Sequence, residues 1–264
     1  MDLGIEGRVA IIGGASKGIG FATAEALARE GVFVAMVARG SEQLEAAAEK
    51  IANAHGSSKV LTIPADLSKK DEIENVVNRT SSHWGRIDIV INNLGGPPPG
   101  DPTGLTDELW YQAIELNFLS VVRMSQLVIP VMKKNHFGRI LSVLSLSIKQ
   151  PEENLALSTV SRTAASSYSK VLSTELASSN ITVNTILPGS IETERLKVVA
   201  EMQAKKRGAP IQDAMELRKT QIPAYRFGKA EEAADLICFL ASDKAGFITG
   251  QNILIDGGQF KGVS

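Results

Sequence analysis

Seven short apolar runs alternate with amphipathic stretches along this chain, and this alternation restricts the fold more than any other feature. The runs are rich in Val, Ile and Leu, as strands buried on both faces of a parallel sheet are. Strands linked by helices form right-handed crossovers, so we predict a doubly wound, seven-stranded parallel sheet of the α/β class. The predicted strands are 9–12, 32–37, 60–63, 87–91, 138–143, 181–187 and 252–255.

The stretches between these runs predict helices, which we place at 21–29, 42–54, 72–82, 106–133, 155–178 and 231–241. Thr106 is expected to cap the fourth helix, and Pro130 to kink or shorten it. A lysine- and glutamate-rich segment predicts two short amphipathic helices interrupted at Gly208. Because this segment follows a strand end, where open α/β sheets bind ligands, we interpret 194–222 as a mobile substrate lid or a surface excursion.

Composition limits the classes of function. The 264 residues contain no evident linker or repeat, which predicts one domain over 1–264. A net charge of −1 gives no reason to expect nucleic acid as a partner. The single cysteine, Cys238, excludes an intrachain disulfide, and three scattered histidines predict no metal site. With no signal peptide and no apolar run long enough to span a membrane, we expect a soluble cytoplasmic protein that binds no membrane.

The first strand runs into a glycine-rich turn that opens the first helix, with the spacing G-x-x-x-G-x-G. Glycines let the backbone approach an anion closely, and a helix N-terminus presents unpaired N–H groups and a partial positive charge to it. A turn with a purely structural role is the alternative. The residues predicted to bind the phosphates of a nucleotide are Gly14, Ser16, Lys17, Gly18, Ile19 and Gly20.

A set of short motifs follows the predicted strands. The motifs are Gly14-x-x-x-Gly18-x-Gly20, Asp66-Leu67, Asn92-Asn93-Leu94-Gly95, Asn117, Ser145, Ile181-Thr182-Val183-Asn184, Pro188-Gly189-x-x-x-Thr193, and Phe247-Ile248-Thr249-Gly250-Gln251 before Asp256-Gly257-Gly258. In this order they resemble the short-chain dehydrogenase/reductase family over essentially the whole chain, and most closely its bacterial 3-oxoacyl-[acyl-carrier-protein] reductases. Gly13 and Leu94 depart from the family's usual Thr and Ala, but the backbone makes the contacts at those positions.

The resemblance implies which residues bind the cofactor. Most of these residues follow parallel strands, so they gather along one edge of the sheet. The alternatives are a helix cap for Asp66 and a solvated turn for Asn92 and Asn93. The implied residues are Asp66 and Leu67 at the adenine, Asn93, Leu94 and Gly95 along the adenosine, and Pro188, Gly189, Ile191 and Thr193 at the nicotinamide end.

The end of the second strand indicates which cofactor is bound. NAD-specific sites place an acidic residue there to bind the ribose 2′-hydroxyl, whereas this strand ends Val37-Ala38-Arg39. A guanidinium suits a 2′-phosphate, and Lys17 can approach it from the other side. The Lys/Arg pair also resembles that of NADP-preferring members of the family. We predict NADP(H), with NAD(H) as the alternative; a solvated loop charge is the other interpretation of Arg39.

The family's catalytic pair is absent from the chain. By resemblance, its Tyr-x-x-x-Lys motif, which exchanges the proton and holds the ribose, aligns with Ser158 and Arg162. Tyr168 precedes Lys170 at the wrong spacing and on another helix face. An aliphatic hydroxyl is a poorer acid than a phenol with a pKa of ~10, and arginine cannot relay protons. Ser158 could position a water, while Arg162 could bind ribose and the cofactor and stabilise a developing oxyanion.

Two further residues complete the implied catalytic set of Asn117, Ser145, Ser158 and Arg162. Asn117 would hold a water, and Ser145 would bind the substrate oxygen. Lys149 is one candidate for the missing acid, with a solvated loop lysine as the alternative.

We therefore predict an NADP(H)-dependent oxidoreductase, similar to carbonyl and 3-oxoacyl reductases, with an altered proton-donor site and a small carbonyl or alcohol substrate. One alternative is a catalytically impaired NADP(H)-binding protein, acting as a sensor or a non-catalytic subunit. Another is a paralogue that binds no nucleotide. The resemblance also implies a homotetramer or homodimer, formed through the two long helices and residues 247–260.

Overall fold

The chain forms one sheet of seven parallel strands in the order β3-β2-β1-β4-β5-β6-β7. This computed structural model describes residues 1–263, with the backbone alone at residue 206. The last residue of the predicted domain, 264, lies outside them. The strands are β1 (Val9–Gly13), β2 (Phe33–Ala38), β3 (Val60–Pro64), β4 (Ile89–Asn93), β5 (Gly138–Val143), β6 (Ile181–Pro188) and β7 (Asn252–Ile255). The predicted α/β fold is confirmed.

Helices cover both faces of the sheet. Apolar residues of α1, α2 and α9 pack together on one face, and those of α3, α5 and α6 pack on the other. The α-helices of residues 1–263 are α1 (Gly18–Arg29), α2 (Ser41–His55), α3 (Lys70–Trp84), α4 (Asp107–Ile114), α5 (Ser120–Asn135), α6 (Ala156–Leu176), α7 (Glu194–Arg207), α8 (Ile211–Thr220) and α9 (Ala230–Leu240). The doubly wound arrangement brings the carboxyl ends of all seven strands to one edge.

Strand β4 begins two residues later than its apolar run suggests. Asp88 is fully buried before the strand, and its carboxylate accepts a hydrogen bond from the backbone N–H of Val9 at 2.9 Å. The strand then pairs with β5 along its whole length, including its last two residues, Asn92 and Asn93. The expectation that these asparagines follow the strand is wrong, because the parallel ladder holds them inside it.

The predicted fourth helix is irregular at a different place from the one expected. Pro130 lies inside α5, which continues to Asn135, so the proline does not shorten the helix. Thr106 occupies the position before α4 without a capping bond from its side chain. Between α4 and α5, Glu115–Leu119 forms one turn of π-helix around Asn117. Such turns often occur at functional sites.

The continuous helical stretch Asp107–Asn135 is, among residues 1–263, the only one long and apolar enough to cross a bilayer by length and composition. Its mean hydropathy reaches 1.3 over an 18-residue window. The expectation that no segment would pass this test is wrong. Core helices of soluble proteins pass it too, and this stretch packs against α3 and α6.

Candidate functional site

The turn between β1 and α1 is packed too closely for side chains at two of its glycines. Gly14 has a φ of +60°, and a Cβ there would lie 2.8 Å from the backbone oxygen of Asn93. At Gly20, a Cβ would lie 2.2 Å from the oxygen of Gly14. The side chain of Asn93 fastens the turn by donating to the oxygen of Gly13 at 3.1 Å. The result is a bare backbone cradle at a helix N-terminus, which fits a pyrophosphate.

Two cations lie at the edges of this cradle. Lys17 occupies the extended position before α1 and is exposed, with Ser16 and Ile19 partly exposed beside it. Arg39 is exposed just beyond β2, whose end is joined to the turn because Ala15 donates to the oxygen of Val37 at 3.1 Å. Both Lys17 and Arg39 are therefore exposed to solvent at the edge of the sheet where β1 and β2 end. An anionic group could reach them there.

Asp66 turns the chain beyond β3. Its carboxylate accepts bonds from the N–H and hydroxyl of Ser68 at 3.0 and 2.8 Å. Burial opposes ionisation, but these bonds and the charges of Arg39 and Lys69 hold the pKa of Asp66 below its usual value. Lys69, not Asp66, occupies the capping position of α3, so a helix cap is the wrong interpretation of Asp66. Leu67 is buried against the glycine turn.

The asparagines of β4 do not form a solvated turn. Asn92 is buried and donates to the hydroxyl of Ser142 at 3.5 Å, while Asn93 holds the glycine turn. Beyond them, the backbone oxygens of Leu94 and Gly95 face inward and accept bonds from Arg162. The strand end therefore joins the predicted phosphate cradle to the predicted catalytic position.

The loop after β6 reaches back to the glycine turn. Pro188 ends the strand, and Gly189 has no room for a side chain, since a Cβ there would lie 2.8 Å from Asp256. Ile191 is buried, and Thr193 occupies the position before α7. A Cβ at Gly18 would lie 3.4 Å from the methyl group of Thr193. The structure thus brings two predicted parts of the cofactor site into contact.

Arg162 is buried at the predicted catalytic position, with all five of its N–H groups bonded to the protein. One donates to the hydroxyl oxygen of Ser158 at 3.1 Å. The other four donate to backbone oxygens at 3.0 to 3.4 Å, those of Val143, Leu144, Leu94 and Gly95. Burial, together with the nearby charge of Arg195, lowers the pKa of Arg162 to about 10. Arg162 therefore fastens the ends of β4 and β5 with a charge that stays positive at neutral pH, and it could bind ribose only by exchanging one of these bonds.

The polar side chains of the predicted catalytic set are only partly satisfied. The Ser158 oxygen accepts from Arg162, so its own proton is free to donate. The Ser145 oxygen accepts from the N–H of Ser147 at 3.1 Å. Asn117 is 2% exposed, and neither polar atom of its amide has a hydrogen-bond partner among the described residues. A buried amide without partners is costly unless water or a ligand satisfies it, so Asn117 fits a bound polar molecule.

The other candidates for a proton donor are engaged elsewhere. The Lys149 ammonium lies 5.6 Å from the ring centroid of Phe260. The Tyr168 ring packs edge-on against Phe118, with centroids 6.4 Å apart, and burial, with Glu175, raises the pKa of its hydroxyl. Tyr168 is therefore packed as a core residue with a weakened acid group.

The segment 194–222 consists of α7 and α8, separated at Gly208 as the sequence predicts. Sequence analysis did not single out two of its residues. Arg195 donates to the oxygen of Pro97 at 3.1 Å, and Arg218 pairs with Glu152 at 3.3 Å. In a helix pattern full of exposed charges, nothing in the sequence distinguishes these two arginines from solvated ones.

Comparisons with known proteins agree with this geometry. A sequence model of the family described as Enoyl-(Acyl carrier protein) reductase matches residues 14–259. The chain is 34% identical to the 3-oxoacyl-[acyl-carrier-protein] reductase FabG of Escherichia coli over 259 residues, covering 98% of this chain and 99% of that one. It is 33% identical to the NADPH-dependent reductase BacG of Bacillus subtilis over 256 residues, covering 97% and 99%.

One solved structure is similar to this chain over its full length. The L-sorbose reductase from Gluconobacter frateurii, in complex with NADPH and L-sorbose, superposes with a TM-score of 0.94 at 32% identity, and all of both chains is covered. Its match and those of the sequence relatives include the glycine turn and the strand ends around Arg162. The chain therefore belongs to the short-chain dehydrogenase/reductase family.

Proposed function

We propose that this protein is an NADP(H)-dependent oxidoreductase acting on a small carbonyl or alcohol, with Ser158 and Arg162 in place of the family's Tyr and Lys. One observation carries the proposal: the buried Asn117 amide has no hydrogen-bond partner among the described residues. The same chain also forms the closely packed glycine cradle. A protein that needed only a stable core would fill that position with an apolar side chain.

The cradle and strand ends supply the binding residues. Gly14, Ser16, Gly18, Ile19 and Gly20 would hold the pyrophosphate through backbone N–H groups. Lys17 and Arg39 would bind the 2′-phosphate as a pair of cations. The remaining cofactor contacts we propose are those of Asp66, Leu67, Asn93, Leu94, Gly95, Arg162, Pro188, Gly189, Ile191 and Thr193. The NADPH dependence in BacG's name, and the NADPH bound to the sorbose reductase, support the phosphorylated cofactor.

The chemistry divides between the cofactor and the chain. When bound, a reduced nicotinamide supplies hydride to a carbonyl carbon. Ser145 and Ser158 would donate hydrogen bonds to the carbonyl oxygen, and the buried charge of Arg162 would stabilise the negative charge that develops there. The alkoxide oxygen of the product would take the Ser158 proton. A water on the Asn117 amide would return a proton to the serine and regain its own from bulk solvent. The stronger acids Lys149 and Tyr168 contact Phe260 and Phe118 instead, so we expect slow turnover.

The experiment is steady-state oxidation of NADPH against ketones and 3-oxoacyl thioesters. Turnover above background is expected for at least one class, and Ser158→Tyr with Arg162→Lys should raise it on the order of 10²–10⁴-fold. No turnover with any of them would contradict the enzymatic proposal, and bound NADPH would then point to the sensor or subunit alternative.

We further propose that the protein is a homo-oligomer, a tetramer or dimer, that works in the cytoplasm. Large apolar side chains are exposed on α4 and α6 and before β7, which supports association. They are Tyr111 (67% exposed), Val160 (52%), Val171 (61%) and Phe247 (103%). Sedimentation equilibrium of the purified protein would test the oligomeric state. A monomer at micromolar concentration would contradict the proposed oligomer.

A further inference from the structure

Two arginines hold consecutive parts of one loop. Arg162, from α6, donates to the oxygens of Leu94 and Gly95. Arg195, from α7, donates to the oxygen of Pro97 at 3.1 Å. The loop 94–97 therefore has one guanidinium at each end.

Gly96 makes room for the second guanidinium. A Cβ at Gly96 would lie 2.7 Å from the Nη2 atom of Arg195 and 2.8 Å from its Cζ. Any other residue there would displace the arginine. The Arg195 side chain is thus seated against the loop, not extended into solvent like most charged residues of α7.

Neither guanidinium has an anionic partner in the part of the chain that the structure describes. Among residues 1–263, no carboxylate forms an ion pair with Arg162 or with Arg195. Burial lowers the pKa of both groups, and the charge of Arg195 lowers that of Arg162 further. Buried charges in proteins are normally paired, because removing them from water costs several kcal/mol. Within the described chain, Arg162 and Arg195 therefore lack the neutralising anion that buried cations normally have.

Only one of the two has donors to offer. Arg162 uses all five of its N–H groups, whereas Arg195 is partly exposed and uses one of five on the described residues. Arg195 is thus the residue that can bind an anion directly. Arg162, fixed behind the loop, strengthens the positive potential.

We propose that Arg195 binds an anionic group of the substrate, a carboxylate or a phosphate, in the field of Arg162. This inference rests on the proposed function and narrows its substrates to oxo acids and phosphorylated carbonyl compounds. The glycine cradle already provides for the cofactor pyrophosphate. Arg195 instead donates to the oxygen of Pro97, just beyond Gly95 in the loop. Arg162 joins the same loop to Ser158, a member of the predicted catalytic set.

The test is calorimetric titration of the NADP⁺-loaded protein, in which a ketone binds without being reduced. Three probes are compared with their uncharged counterparts: 2-oxobutanoate and 4-oxopentanoate with their methyl esters, and dihydroxyacetone phosphate with dihydroxyacetone. At least one charged probe should bind roughly 10- to 100-fold more tightly than its counterpart. Arg195→Gln should abolish this preference, and Arg195→Lys should retain part of it.

Lys197→Gln is the matched control. It removes a charge from the same helix, but Lys197 is 59% exposed and pairs with Glu194 at 3.1 Å, so the preference should remain. Equal affinity for charged and uncharged probes, or a preference that survives Arg195→Gln, would overturn the inference. So would a folded Arg195→Gln variant that loses NADP⁺ affinity alone, because the arginine would then serve the cofactor phosphates. Failure of the wild type to bind NADP⁺ or NADPH would be a failure of the proposed function itself.

Discussion

At the scale of single residues, Arg162 shows how a buried guanidinium can organise a site. A lysine carries three donors at one point, whereas the guanidinium carries five in a plane. In this protein that plane joins Ser158 to four backbone oxygens from two strand ends. Arg162, which we propose stands in place of the family's lysine, therefore has a structural task.

Arg162→Lys should destabilise the protein. An ammonium with three donors leaves at least one backbone oxygen and the Ser158 hydroxyl without their donors, at about 1–3 kcal/mol each. The melting temperature should fall by roughly 5 °C or more. Arg226→Lys is the control, because Arg226 is exposed and pairs with Glu232, and we expect it to change the melting temperature by about 2 °C at most. Equal melting temperatures for the two variants in scanning calorimetry would contradict this role of Arg162.

At the scale of elements, the π turn Glu115–Leu119 holds Asn117, whose amide has no hydrogen-bond partner within residues 1–263. The strand ends and the glycine turn follow directly from sequence, since apolar runs and closely spaced glycines each permit few structures. The π turn has no such signal, because it depends on a shift in backbone hydrogen bonding. The position of the Arg195 side chain has no such signal either, because it depends on Gly96, about a hundred residues away.

Asn117→Leu should leave the free protein as stable as the wild type, or more so, because the amide has no protein hydrogen bonds to lose. Turnover should fall by about 10-fold or more. Asn184→Leu provides the contrast: Asn184 is equally buried, but it donates to Ile248 at 2.7 Å and accepts from Gln251 at 3.0 Å. That variant should lose about 2 kcal/mol or more in urea unfolding. A similar loss of stability in both variants would show that Asn117 is structural.

The second helix of the 194–222 segment is fastened to the loop before α6. Arg218 is buried and pairs with Glu152 at 3.3 Å. Glu152→Gln should release α8, so its amides should exchange hydrogen faster, as expected of a mobile lid. Glu216→Gln removes an exposed pair within α8 and should change little. Unchanged exchange after Glu152→Gln would favour the surface-excursion interpretation.

At the scale of the whole molecule, the doubly wound sheet makes a single edge out of residues distant in sequence. The order of apolar runs was enough to predict the sheet, and the ordered motifs placed the candidate site along that edge. The assignment of individual roles was less complete, since the bonds of Arg162 and the contact of Arg195 with Gly96 arise only when separate loops meet. Sequence analysis thus predicted a site at this edge of the sheet, but not how positive charge is arranged there.

Isothermal titration with NADPH and NADH tests most directly whether this edge of the sheet binds the phosphorylated nicotinamide cofactor. The wild type should prefer NADPH by roughly 10-fold or more, and Arg39→Ala should remove that preference. Arg29→Ala, at the far end of α1 and exposed, should behave as the wild type does. Binding of neither cofactor to the folded wild type would contradict the account, and a preference unchanged by Arg39→Ala would contradict its explanation of specificity.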